Sequence, residues 1–292
     1  MSVINGGSSV LHSLWTGVTG LNAFGTALEV VGDNITNVNT IGFKGRRLVF
    51  ADIFSDVQGM YAQMTSAVAG PPGPSQVGEG VRIADIRTDF VQGELQATPN
   101  PLDLAIDGNG FFVVKENPDA PELYTRAGQF DIGEDEDGRF GIVVNPQGLQ
   151  LQVDQSGAIG ALDLSAEGLK KRFGNDFVFE SISVEGDGTV KVSSATGRLE
   201  TIGKVQMVKF HDPEALIPMG NGIFTQSHDS GLPLPPDTPT GGVVYDHALE
   251  LSNVDLTTQF VNLIEYQRAF QVNNKVISAS DEILQTLVQM KG

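Results

Sequence analysis

The chain has no cysteine among its 292 residues. That excludes disulfides and thiolate metal sites, and it suits a protein working outside the reducing cytosol without depending on oxidation. Basic residues are scarce: Lys and Arg total 18 against 36 Asp and Glu, for a formal net charge of −18. Such an acidic surface repels phosphate backbones, so nucleic-acid binding is not expected. Nothing reaches the roughly 18 consecutive apolar residues of a membrane span, so no membrane insertion is expected. The opening MSVINGGSSV has no basic n-region and no unbroken apolar stretch after it, unlike a cleaved secretory signal.

Catalytic constellations are missing too. His12, His211, His228 and His247 show no i,i+4 pairing and no carboxylate at a metal-ligand offset. There is no GxSxG elbow, no P-loop and no GxGxxG after a strand. The acidic run Glu134–Asp137 can be aligned as a calcium loop with Gly138 as its glycine. Position one is then Gly133 and position twelve Val144, which fails at the two strongest ligands. No catalytic residue, metal or cofactor is expected, and the chain reads as non-enzymatic.

What is present is concentrated at the ends. Residues 10–40 and 254–290 read as long helices. In the first, Leu11, Leu14, Val18, Leu21, Phe24, Leu28, Val31, Ile35 and Val38 recur at steps of three and four, the period of a helix laying a seam against a partner. The last segment carries two rows: Leu256, Phe260, Leu263, Phe270, Ile277 and Leu284, then Val272, Val276, Ile283, Leu287 and Met290. A helix apolar on more than one face needs more than one neighbour. We therefore expect an intersubunit seam through Leu14, Val18, Leu21, Leu28, Val31, Ile35, Leu256, Phe260, Leu263, Phe270, Ile277 and Leu284, with Trp15 and Tyr266 packed in the same layer. Asn34 and Asn37 lie beside it, positioned either to set its register or to bind backbone in the following turn. Ser252 or Asn253 is the expected N-cap of the last helix, with Asp255 in its first turn.

Between the ends the pattern is β. Segments 140–144, 149–153, 177–184, 189–193 and 203–210 read as short strands separated by Gly, Asp and Asn turns, the pattern of an antiparallel sandwich or barrel-like domain. Gly42 is placed for a positive φ after the first helix, and Gly70–Pro74 reads as a hinge. The expected class is α+β: residues 1–43 and 250–292 form a helical coiled-coil domain, 44–76 a connecting arm, and 77–249 a β-rich outer domain. Two readings from different classes fit this plan. One is a structural subunit of a helical tube; the other is a secreted β-sandwich binding module with a helical oligomerisation stalk.

Four ordered blocks carry a family resemblance. Residues 14–50, LWTGVTGLNAFGTALEVVGDNITNVNTIGFKGRRLVF, resemble the N-terminal signature of bacterial flagellar axial proteins, the rod and hook subunits. Residues 88–114 (TDFVQGELQATPNPLDLAIDGNGFFVV), 124–130 (YTRAGQF) and 249–270, with LELSNVDL and EYQRAF, are similar to further blocks of that family. The matching positions include Asn34, Asn37, Asn39, Gly42, Phe43, Asn253, Val254, Asp255, Gln267 and Arg268. Details such as FADIFS at 50–55 look more like a hook subunit than the distal rod protein, although little room is left for the larger outer domain of hook subunits. The resemblance implies a homopolymer transmitting motor torque in the hook–basal body. It also implies contacts with rod, hook–filament junction and hook-cap proteins, and export by the flagellar type III apparatus without a cleaved signal.

Overall fold

A computed structural model of the protein describes residues 4–53, 78, 80–134, 140–155, 158–173, 179–195, 197–235 and 242–291. The expected hinge at Gly70–Pro74 and the acidic turn at 135–139 lie outside those residues. Three α-helices are described: α1 (Ile4–Thr36), α2 (Ala166–Phe173) and α3 (Leu256–Lys291). The strands before α2 are β1 (Arg46–Asp52), β2 (Val81–Thr88), β3 (Leu95–Ala97), β4 (Leu104–Asp107), β5 (Phe111–Lys115), β6 (Leu123–Thr125), β7 (Asp131–Glu134), β8 (Phe140–Val144), β9 (Gln150–Gln155) and β10 (Ala158–Ala161). After it come β11 (Phe179–Val184), β12 (Thr189–Ser194), β13 (Leu199–Val205), β14 (Met207–Val208), β15 (Ile217–Gly220), β16 (Ile223–Thr225), β17 (Val243–Asp246) and β18 (Ala248–Glu250). Terminal helices with a central antiparallel β-rich domain are thus what the sequence pattern leads one to expect.

No glycine or proline interrupts α3, whose 36 residues reach about 54 Å at the helical rise. Its start is set by Asp255. That carboxylate accepts the Thr258 hydroxyl at 2.6 Å and the N–H groups of Thr257 at 3.0 Å and Thr258 at 3.2 Å. The Thr258 hydroxyl, followed by the two amides, holds the Asp255 carboxyl below the usual carboxylate range. Asp255 is therefore the N-cap, in place of Ser252 or Asn253; the Asn253 amide is engaged elsewhere.

The chain divides into two compact units. The helical unit takes Met1–Thr36, Arg46–Arg87 and Asp255–Gly292; the β unit takes Asn37–Gly45 and Thr88–Val254. Residues 37–45 therefore count with the β unit, while β1 and nearly all of β2, read from sequence as arm and outer domain, count with the helices.

In the helical unit α1 packs against α3, and β1 pairs with β2. Among the described residues of the β unit twelve strands form one sheet, with the path β11-β12-β13-β9-β5-β6-β16-β15 and β7, β8, β10 and β14 branching from it. The pairings with assigned register are antiparallel. The last two strands return to early ones: β17 pairs with β4 and β18 with β3. The main core gathers Leu104, Ile106, Phe112, Val114, Val143, Leu151, Val190 and Val192, all buried. Phe111, Val113, Tyr124, Phe210 and Phe224 form a second core, rich in edge-to-face rings. After α1 the chain turns at Gly42, whose φ of 67° and whose missing Cβ, which would lie 2.6 Å from the Ala127 nitrogen, leave room for glycine alone.

Candidate assembly site

Within the helical unit the contacts between α1 and α3 run antiparallel, since their α3 partners fall in number as α1 is followed forward. Ser13 Oγ lies 3.1 Å from Ser280 Oγ, and further along Asn34 Nδ2 donates to Gln259 Oε1 at 3.2 Å. Between these points the face of α1 is made of small residues. A Cβ at Gly17 would fall 2.9 Å from Ile277 Cγ1, and one at Gly20 would fall 2.7 Å from Asn273 Oδ1. Ala23, Ala27 and Val31 are buried along the same helix. The glycines let the two backbones approach closely, since helix separation follows the side chains at the contact. That contact offsets the roughly 1 kcal/mol each costs inside a helix relative to alanine.

This packing sorts the apolar rows read from sequence. Val31 is buried, and Leu14, Val18, Leu21, Leu28 and Ile35 are half-buried. On α3, Leu263, Phe270, Ile277 and Leu284 are half-buried, whereas Leu256 and Phe260 are exposed. The second row of α3 is left outward: Val272 is 58% exposed and Ile283 48%, with Val276 and Leu287 beside them. Trp15 is 58% exposed on α1. Tyr266 is half-buried and joins a ring cluster within the chain, with centroids 6.1 Å from Phe24 and 6.3 Å from Phe50. Asn34 takes the backbone-binding alternative. It is buried, its Oδ1 accepts Arg46 N–H at 2.8 Å, and its Nδ2 donates to Arg46 O at 2.8 Å.

The β unit holds a second constellation, centred on Glu250, which is wholly buried. Glu250 Oε1 accepts Lys44 Nζ at 2.6 Å and the Gly93 N–H at 2.9 Å. Arg126 Nη1 stands 3.5 Å from Glu250 Oε2, while Arg126 Nη2 donates to Gly108 O at 2.7 Å. The guanidinium also lies 5.0 Å from the Phe111 ring centroid, a cation–π contact. Lys44 Nζ donates in addition to Val91 O at 2.9 Å. Burial pushes the Lys44 and Arg126 pKa values down, and the neighbouring Glu250 carboxylate opposes that shift in both. One carboxylate thus serves two buried cations. Lys44, Gly93, Arg126 and Glu250 each come from a different one of the four resemblance blocks.

Next to this cluster, Asn253 ties backbone together. Its Oδ1 accepts Gly45 N–H at 2.8 Å, and its Nδ2 donates to Asp89 O at 2.8 Å and Val91 O at 2.9 Å. Of the other motif positions, Asn37 Oδ1 accepts the Thr40 hydroxyl at 3.1 Å, Phe43 and Val254 are half-buried, and Asn39, Gln267 and Arg268 are exposed. Lys44, Arg126 and Glu250 drew no attention in the sequence because no periodicity links residues so far apart. Only their places inside the blocks marked them. Among the described residues no group of three His, Asp or Glu could hold a metal ion, and no helix is long and apolar enough to cross a membrane.

Three family models match this chain. Residues 14–44 match the flagella basal body rod protein model and 105–192 the D1 domain of the flagellar hook protein FlgE/F/G model. Residues 246–290 match the C-terminal model of the flagellar basal body rod FlgEFG protein. The flagellar basal-body rod protein FlgG of Bacillus subtilis (strain 168) is 34% identical over 97% of this chain and 100% of its own length. The chain belongs to the flagellar rod and hook protein family. FlgG of Agrobacterium fabrum is 32% identical over 94% of this chain and 97% of its own. The flagellar hook protein FlgE of Borreliella burgdorferi is 42% identical, over 49% of this chain and 31% of its own length. Members of this family are structural, non-enzymatic parts of the flagellar rod and hook that polymerise and associate with other axial components. The helix pair and the Glu250 cluster are therefore read as parts of an assembly subunit.

Proposed function

We propose that this chain is a distal rod subunit that polymerises through its terminal helices into a helical tube transmitting motor torque. The observation that carries the reading is the end-to-end alignment with FlgG rod proteins, which spans nearly the whole of both chains. The hook reading drawn from the sequence gives way on the same ground, since the hook match spans only 31% of the FlgE chain.

In this reading the small-residue face of α1 closes the pair with α3 inside one subunit. The outward row of Val272, Val276, Ile283 and Leu287 and the half-buried Leu14, Val18, Leu21 and Leu28 are then covered by neighbouring copies as a coiled-coil layer. Head-to-tail contacts whose rotation does not close build open filaments of this kind. The β unit, in this reading a sandwich, forms the outer layer. Other rod proteins, the hook–filament junction and hook-cap proteins, and the type III export apparatus are the expected partners. The lack of cysteine suits export as an unfolded chain.

The test is polymerisation of purified protein at high concentration, followed by electron microscopy. Val272→Asp, Ile283→Asp and Leu21→Asp each place a charge in the proposed seam, where burial without a partner costs several kcal/mol, roughly. Each variant should stay monomeric with an unchanged β-type circular dichroism signature. Filaments of normal length from all three would remove these residues from the seam, and a discrete oligomer from the unaltered chain would favour a closed stalk.

A further inference from the structure

Three segments far apart in sequence meet around Glu250 and Asn253 in the β unit: 37–45, 89–94 and 250–254. Hydrogen bonds tie them to one another, while Phe90, whose ring lies 5.3 Å from Phe111, and Gln92, whose Oε1 accepts the Gly108 N–H at 3.1 Å, anchor the middle segment to the rest of the unit. Gly42 N–H donates to Glu250 O at 2.7 Å, Asp89 N–H to Gly45 O at 2.8 Å, and Leu251 N–H to Glu94 O at 2.8 Å. Gly45 N–H goes to the Asn253 side chain, and Gly93 N–H to the Glu250 carboxylate. The sheet core, by contrast, is held by its own ladder and by bonds such as Leu162 N–H to Leu151 O at 3.0 Å and Gln206 N–H to Gln152 O at 2.9 Å.

We propose that these three segments form a latch, a single cooperative opening unit locked by Glu250 and Asn253, which opens while the sheet stays folded. Two features carry this. The first is shared dependence. Removing the Glu250 carboxylate takes the anion from Lys44 and Arg126 and the acceptor from the Gly93 amide at once, leaving Lys44 with Val91 O alone, so the loss is felt across the three segments together. The second is position in the chain. Residue 37 directly follows the end of α1 and residue 254 precedes the N-cap of α3, so an open latch frees the chain on the β-unit side of both long helices. Sub-global opening of contiguous contacts of this kind is how folded proteins commonly loosen without unfolding. The latch requires only the monomer, so it holds or fails independently of polymerisation.

The experiment is native-state amide hydrogen exchange by NMR on the full chain at low concentration. The reporters are Gly42, Gly45, Asp89, Gly93 and Leu251, with Leu162 and Gln206 for the sheet. In the unaltered protein the five latch amides should share one opening constant, with less protection than the sheet amides. Glu250→Gln should raise opening roughly a hundredfold or more at all five together, the loss expected when buried cations lose their anion. Asn253→Ala, which removes no charge, should shift the same five. Five unrelated opening constants, or five equal to those of the sheet, would overturn the latch. So would shifts confined to amides beside the substituted residue. If Glu250→Gln fails to fold, the unaltered protein and Asn253→Ala still decide the matter by the same criteria.

Discussion

Glu250 accepts the Lys44 ammonium at 2.6 Å across 206 positions of sequence, with both side chains fully shielded from water. The arrangement is asymmetric, because Glu250 is the fully buried anion facing both Lys44 and Arg126. Glu250→Gln leaves two buried cations uncompensated and should cost about 3–5 kcal/mol. Lys44→Met leaves Glu250 with Arg126 and should cost less. The double variant should cost less than the two single variants combined, as contacting residues do. Urea unfolding followed by circular dichroism measures all three. Equal effects of the single variants would show that Arg126 does not share the carboxylate.

Two glycines of α1 should respond in opposite directions. Gly20 faces Asn273, where even a methyl would be crowded, so Gly20→Leu should force the helices apart and lower the thermal stability of the helical unit. A Cβ at Gly32 meets nothing within 4 Å, so Gly32→Ala should stabilise by up to about 1 kcal/mol through helix propensity. Thermal melts of helical ellipticity would show it, and a loss of stability at Gly32→Ala would contradict the packing described.

Tyr124 should resist ionisation. Burial first, and the Glu122 carboxylate second, push its phenol from 10.0 up to about 12. Its hydroxyl lies 3.4 Å from Glu122 Oε2 and its ring packs 4.8 Å from Phe210. A folded pKa above the unfolded one contributes stability that is fully present below pH 10.0 and lost as pH rises through about 12. Tyrosinate absorbance should therefore show a late group titrating at about 12 that is absent in Tyr124→Phe, while Tyr266, which burial also pushes up, is unaffected by that change. If that late group persists in Tyr124→Phe, the assignment is wrong.

The two helices and many of the β segments were legible because they repeat. Steps of three and four mark α1 and α3, and Gly, Asp and Asn turns separate the strands. The pairing of the helices was less legible. Apolar periodicity falls on Leu21 and Leu28, whereas the face α1 turns to α3 is Gly17, Gly20, Ala23 and Ala27, too small to stand out as a seam. The N-cap differs from the expected Ser252 or Asn253 for a related reason. Asn253 has the right chemistry to cap, but its amide is taken by Gly45, Asp89 and Val91, and that competition is visible only in three dimensions. The Glu250 cluster carries no local signature, since its partners are united by tertiary folding alone.

The chain passes between its two units four times, after residues 36, 45, 87 and 254. Neither unit can therefore be cut out as one continuous piece, and truncation at either end leaves the helical unit short of a helix. Between Thr88 and Val254, however, no crossing occurs. A lineage can lengthen turns there, or splice in a whole extra module, without rethreading the rest. In such a gene, tolerance to insertion should be sharply bounded by residues 88 and 254, and variation in subunit size should be written almost entirely inside that window.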